Sequence, residues 1–207
     1  MATLVRVRPR ARTPRRHEHG ARGRQARRAA GRAGTCATAL AVSDRGRAGI
    51  AVLAGQTARL LNAQGFQARV FPAQMAFNLL AQDDAPDVAA ELRRIFGDAG
   101  LAIDSCAHYV PVFYAHSHVI RLETTESLSL EKVRKLLRAT PGIKLRDKDE
   151  ELSPVGDSAG GAEILVGQIR PVGDGRNGLL LWILADNVKG AAVNAVHVAE
   201  SLLKDHP

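Results

Sequence analysis

The chain has 207 residues and a net charge of +8, and it is 45% hydrophobic and 24% charged. That length suffices for one well-packed domain, and no run approaches the roughly 20 apolar residues that a membrane-spanning helix needs. The two cysteines, Cys36 and Cys106, fit neither a metal-ligand spacing nor a disulfide framework, so we expect no metal site and a reducing compartment, the cytoplasm.

The positive charge is concentrated at the N-terminus. Residues 1–34 hold eleven arginines and one acidic residue, Glu18, a net charge of +10, so the rest of the chain carries −2. With almost no large apolar residues, this segment is expected to be disordered and dispensable for stability. A nucleic-acid-binding arm, an organelle transit peptide and out-of-frame translation of GC-rich DNA are all open. Because no aromatic residues for base stacking interrupt the arginines, nucleic acid is not the expected partner.

Domain boundaries follow from this change of composition. We predict a basic disordered segment over residues 1–38 and one folded domain over residues 39–207. Two helices are predicted at the start of the folded domain. Apolar residues recur at helical intervals in SDRGRAGIAVLAGQTARLLNAQG, which ends at Gly65, and again in DVAAELRRIFGDAG.

Strands and further helices follow. AIDSCAHYVPVFYAHSHVIRLE is rich in Val, Ile and Tyr and predicts extended structure. In SLEKVRKLLRATPG, Ser129 is a natural N-cap of a helix. EILVGQIRPVGDGRNGLLLWILADN predicts two strands, of which the unbroken apolar LLLWILA is a central strand covered on both faces. A last helix is predicted over 188–204. The pattern indicates an α+β fold with a mixed, mainly antiparallel sheet and helices packed on one face.

Four segments together resemble the C-terminal half of aspartate-semialdehyde dehydrogenases. They are AVSDRGRAGI, FPAQMAFNLL, VPVFYAHSHVIRLETTESLSLEKVRKLL and GLLLWILADNVKGAAVNAVHVAESLL, which occur in the family's order within residues 39–204. The segments LAGQTARLLN, PVFYAHSH and SPVGDSAGG resemble the sequences of the Usg-type branch of the family. The members of this branch are paralogues of doubtful catalytic function. The resemblance implies a domain like the C-terminal domain of glyceraldehyde-3-phosphate dehydrogenase, and a homodimer formed through it.

The resemblance also implies a reaction, the NADP-dependent interconversion of aspartate semialdehyde and aspartyl phosphate. In it a cysteine thiolate forms an acyl intermediate and a histidine serves as acid and base. That histidine corresponds to His116. The arginine that binds the substrate carboxylate is replaced by Tyr109, and the glutamine that holds the substrate is replaced by Leu40. The cysteine belongs to the family's N-terminal half and is not matched in this chain.

The resemblance also implies which residues would contact the nucleotide. The family's Ser-Gly pair corresponds to Ser43 and Asp44, and the Asn of its ADN motif corresponds to Asn187. The family's phosphate-binding stretch is replaced by a short loop with three aspartates, Asp83, Asp84 and Asp87. We therefore expect that this chain alone neither binds NADP nor turns over the substrate.

Three functions are open: a truncated, inactive dehydrogenase domain, a dimerising scaffold without chemistry, and a basic-tailed nucleic-acid binder. For several single residues a purely structural role is also open. The ring of His116 could be bonded to nearby backbone, and Asn187 could cap the last helix. We expect His118 to be an exposed strand residue, Cys106 to be a small buried residue, and VGDSAGGAE to be a surface turn.

Overall fold

The structure is a computed structural model, which describes residues 31–82, 88–97, 100–146, 151–173 and 177–205. Most of the arginine-rich segment and the three aspartates of the loop after Asn78 lie outside these ranges. Among the described residues, none of the helices combines the length and apolar character needed to cross a membrane.

The described residues form one seven-stranded sheet and four α-helices. The strands are β1 Gly31–Leu40, β2 Leu80–Ala81, β3 Ala102–Tyr109, β4 His116–Thr124, β5 Ile143–Leu145, β6 Ile164–Val172 and β7 Gly178–Ala185. The helices are α1 Gly46–Leu61, α2 Val88–Phe96, α3 Leu130–Arg138 and α4 Asn187–Asp205. A short 3₁₀ turn, Val42–Arg45, precedes α1, and a five-residue helical turn spans Pro154–Ser158.

The strand order is β2-β3-β1-β4-β7-β6-β5. The pairs β1–β3 and β5–β6 are parallel, and the other four pairs are antiparallel. The predicted α+β fold with a mixed, mainly antiparallel sheet is therefore confirmed. The helix predicted after Ser129 is also present, and the hydroxyl oxygen of Ser129 accepts the backbone N–H of Lys132 at 3.2 Å.

Strand β1 corrects the predicted domain boundary. Residues 31–38, expected to be disordered, belong to a central strand that pairs with β3 on one side and β4 on the other. Its Gly and Ala residues, half of the strand, show little strand preference of their own. The ladders on both sides supply the hydrogen bonds, because strand formation depends on the neighbours more than on intrinsic propensity. Deleting residues 1–34 would thus remove part of the sheet.

Strand β7 has the predicted central position. Leu179 and Leu181 are buried in a cluster with Val133 of α3, and Leu184 is buried in another with Leu152. Since Leu184 is offset from Leu179 and Leu181 by an odd number of residues, it lies on the opposite face. Both faces of the strand are therefore covered, as its unbroken apolar sequence predicts.

A third cluster fixes the start of α1 against the end of β1. Val42, Leu53, Phe71, Met75 and Tyr109 are its large buried members. Because Val42 is the first residue of the 3₁₀ turn, the cluster fixes the start of that turn. The polar residues that follow Val42 are therefore held at the ends of strands β1, β3 and β4.

Candidate functional site

The site lies where the end of β1 meets the loop between β3 and β4. The backbone N–H of Val42 donates to the carbonyl of Val112 at 2.9 Å, and that of Ser43 donates to the carbonyl of Phe113 at 3.1 Å. These two bonds tie the 3₁₀ turn to the loop, so the side chains of the turn face the first residue of β4.

His116 is that first residue, and its ring is held on one side by backbone. The N–H of Ala41 donates to Nδ1 at 3.1 Å, and the residue is 7% exposed. Ala115, just before it, has φ 72°, a left-handed conformation that costs a non-glycine residue about 1 kcal/mol. Because Nδ1 accepts a hydrogen bond, the neutral ring carries its proton on Nε2.

Asp44 stands on the other side of the His116 ring. Its Oδ1 is 3.7 Å from Nε2 of His116, and its Oδ2 accepts the hydroxyl of Tyr109 at 2.8 Å. The ring of Tyr109 packs edge-on against Phe71 with centroids 5.0 Å apart, and the guanidinium of Arg45 lies 5.4 Å from the Tyr109 ring centroid. The carboxylate is therefore flanked by a histidine, a tyrosine hydroxyl and a nearby cation.

These contacts shift the pKa of the Asp44 carboxyl and the pKa of the Tyr109 hydroxyl. The interaction with the His116 ring lowers the pKa of Asp44 most, burial opposes it, and the hydrogen bond from Tyr109 lowers it further. Burial first, and then the hydrogen bond to Asp44, raise the pKa of Tyr109 to about 12. At neutral pH the pair is thus a carboxylate that accepts a hydrogen bond from a protonated phenol.

The other predicted site residues lie nearby but have different surroundings. Ser43 Oγ donates to Asn187 Oδ1 at 3.0 Å. Of the two roles left open for Asn187, helix capping is taken by its neighbour: Asp186 Oδ1 accepts the N–H groups of Val188 and Lys189 at 2.9 and 2.7 Å. A carboxylate one residue earlier has the better position for the first turn. Leu40, at the glutamine position, packs against the cluster around α1.

Two further expectations are wrong. His118 is 1% exposed, because its side chain points to the same face of β4 as His116, and its Nδ1 is 3.0 Å from Thr38 Oγ1. Cys106, expected to be buried, is exposed, whereas Cys36 is the buried cysteine. Burial raises the pKa of the Cys36 thiol, so Cys36 lacks the electropositive surroundings that activate a thiolate.

Comparison with known proteins agrees with this architecture. Residues 28–189 match the family described as semialdehyde dehydrogenase, dimerisation domain. The chain belongs to that family.

Relatives of this semialdehyde dehydrogenase domain include enzymes and Usg-type proteins. The aspartate-semialdehyde dehydrogenase of Shewanella violacea is 38% identical over 182 residues, which is 82% of this chain and 54% of that protein. The USG-1 protein homolog of Pseudomonas aeruginosa is 38% identical over 178 residues, 81% of this chain and 53% of that protein. The chain thus spans about half the length of the curated relatives it matches.

Solved structures extend the agreement to the fold. Aspartate semialdehyde dehydrogenase II from Vibrio cholerae, determined in complex with ASA, superposes with a TM-score of 0.81 at 36% identity, covering 86% of this chain and 56% of that one. A probable aspartate-semialdehyde dehydrogenase from Pseudomonas aeruginosa gives a TM-score of 0.75 at 37% identity, with the same coverage of both chains.

The described residues do not fit the NADP that the family uses. Ser43 and Asn187 are bonded to each other, and Asp44 keeps a negative charge that repels phosphate groups. The part of the chain that the structure describes also contains no group of three or more His, Cys, Asp or Glu residues able to hold a metal ion.

His116, Tyr109 and Asp44 were predicted as separate positions, without their mutual contacts. A signal was present, since both Tyr109 and Asp44 depart from the family pattern. Two departures that touch each other indicate one coupled change. Arg45 was missed because nothing in the spacing places a residue of the α1 entry turn over a strand tyrosine 64 positions later.

Proposed function

We propose that this chain is a dimerising domain of the semialdehyde dehydrogenase family that neither carries out the family's oxidoreduction nor binds NADP by itself. The observation that carries this proposal is the hydrogen bonding of His116. A general base needs an unoccupied lone pair within reach of the substrate proton. The neutral ring has one lone pair, on Nδ1, and the N–H of Ala41 occupies it.

The neighbouring groups do not replace that base. The pKa of Asp44 is held below its ordinary value, so its carboxylate is a weak proton acceptor at neutral pH. The pKa of Tyr109 is about 12, which keeps the phenol protonated. These features support a binding and assembly role for this domain rather than proton transfer.

The dimer part of the proposal is supported by one face of the sheet. Val119 on β4 pairs with Ala37 on β1 and with Trp182 on β7, and Ala37 pairs with Cys106 on β3. Residues paired in this way point to the same side of a sheet. Val119 is 42% exposed and Cys106 is also exposed. This patch of small and apolar residues spans four strands and is bordered on the same face by Asp104 and Arg121. An apolar centre with a charged rim suits a two-fold interface.

Sedimentation of the purified chain at micromolar concentration tests this interface. We expect a dimer, and we expect Val119→Asp to weaken its association by about a hundredfold or more, because each subunit would bury an unpaired charge. The matched control is Leu136→Asp on α3, where Leu136 is 56% exposed. The control should leave the dimer unchanged. A monomeric wild-type chain, or equal effects of the two substitutions, would contradict the proposed interface.

The proposal also includes the cellular compartment of the protein. Cys36 and Cys106 are both free thiols, as is usual for proteins of a reducing compartment. We therefore place the protein in the cytoplasm.

A further inference from the structure

Two donors and one nearby cation lie around a single carboxylate in the site. The cation, Arg45, is exposed and donates to Gln82 Oε1 at 3.3 Å. The hydroxyl of Tyr109 bonds one oxygen of Asp44 at 2.8 Å. Nε2 of His116, which carries the ring proton while Nδ1 accepts the Ala41 N–H, lies 3.7 Å from the other oxygen. The guanidinium of Arg45, over the Tyr109 ring, adds positive charge at the same place. Hydroxyl, imidazole N–H and guanidinium are the groups that recognise carboxylates in proteins.

The burial of these groups shows that the arrangement is built into the fold. Tyr109 is 2% exposed and His116 is 7% exposed, whereas the Asp44 side chain keeps 37% of its surface in contact with solvent. Tyr109 and His116 are thus fixed in the protein interior, whereas Arg45 and the Asp44 carboxylate lie at the mouth of the site. A ligand from solution would approach from the position that Asp44 occupies.

We infer that Asp44 is an internal occupant of a carboxylate-binding site formed by Tyr109, His116 and Arg45, and that it determines specificity by excluding carboxylate ligands from solution. A carboxylate from solution would have to displace one that is attached to the site by the chain itself, at high effective concentration. It would also meet like charge at contact distance. The inference goes beyond the proposed function, since it concerns the ligand preference of the site in either oligomeric state.

Removal of the internal carboxylate tests this inference directly. The probe is sodium acetate, titrated against sodium chloride at equal ionic strength, and the readout is the NMR shift of the His116 ring protons. Four proteins are compared: wild type, Asp44→Gly, Asp44→Asn and Glu200→Gln. The last removes one exposed carboxylate elsewhere, on α4, and so controls for net charge.

We expect no saturable shift in wild type or Glu200→Gln. Asp44→Gly should bind acetate at least about tenfold more tightly than wild type, because removal of like charge at contact distance is worth at least this much. Asp44→Asn should gain less, since its side chain still fills the site. It also serves as the test if the glycine variant does not fold. Saturable acetate binding at His116 in wild type, or no gain in a folded Asp44 variant, would overturn the inference. Sedimentation of the same samples reports the dimer separately.

Discussion

Lowering the pH from 6.5 to about 4.5 is expected to reduce the free energy of unfolding by about 2 kcal/mol through a single buried histidine, His118. Burial first, and then the charge of the neighbouring His116, lower the pKa of His118 from 6.5 to about 3. Its Nδ1 faces Thr38 Oγ1 at 3.0 Å, while Nε2 is buried without a hydrogen-bond partner. A protonated ring at this position would hold an unsatisfied donor in an apolar interior.

The direction of the effect follows from proton binding. Between the unfolded pKa of 6.5 and the folded pKa of about 3, the unfolded chain binds a proton that the folded chain does not. Stability therefore falls as the pH falls through this window, with a slope of up to about 1.4 kcal/mol per pH unit. Asp44, whose pKa is lowered from 3.8, adds a further loss only below that value, so the two contributions are separable.

Urea unfolding at fixed protein concentration across this pH range measures the slope. His118→Phe, which fills the site without titrating, should flatten the slope between pH 6.5 and 4.5 whatever its effect at neutral pH. His197→Gln on the exposed side of α4 is the control and should keep the wild-type slope. Identical slopes for wild type and His118→Phe would show that His118 is not the group responsible.

Gly49→Ala is expected to destabilise the fold by about 3 kcal/mol, at the upper end of the usual cost of overpacking. A Cβ atom at this position would come within 2.2 Å of the carbonyl oxygen of Val42 and 2.9 Å of Cβ of Arg45. Both contacts belong to the 3₁₀ turn that also carries Asp44. Backbone must move to relieve them, and the same movement would separate Asp44 from Tyr109.

The same helix provides a matched control. At Gly55 a Cβ atom would meet no heavy atom within 4 Å, so Gly55→Ala should stabilise the protein by about 0.5–1 kcal/mol through helix propensity alone. Urea unfolding of the two variants beside wild type gives both values. Equal and small effects would mean that α1 does not pack on the turn as closely as described.

The fold was largely predictable because its elements carry strong periodic signals. The apolar spacing of α1 and α3, the N-cap at Ser129 and the unbroken apolar run of β7 each fix an element locally. Strand β1 could not be found in this way. Its small residues have no periodic apolar pattern, and its arginine at position 32 continues the composition of the preceding segment. It is a strand because β3 and β4 pair with it on both sides.

The residues of the site could be predicted from the sequence one by one, but their contacts could not. Motif resemblance located His116, Tyr109 and Asp44, but the bond from the Ala41 N–H that takes up the His116 lone pair depends on tertiary contact. The burial of His118 was missed because one polar residue on a strand of alternating pattern is more often on the solvent side. Here the alternation places it beside His116, on the covered face.

The most direct test of the proposed non-catalytic role is the tautomer of His116 in solution. Nitrogen-15 NMR of the histidine rings at about pH 9, where unperturbed imidazoles are neutral, distinguishes protonated from unprotonated ring nitrogens, and the spectrum of His116→Gln assigns the signals. The hydrogen bonding described here predicts a proton on Nε2 and an Nδ1 that accepts a hydrogen bond. A proton on Nδ1 with Nε2 unprotonated and open to a ligand would show a ring poised as a general base, and would contradict the proposed function.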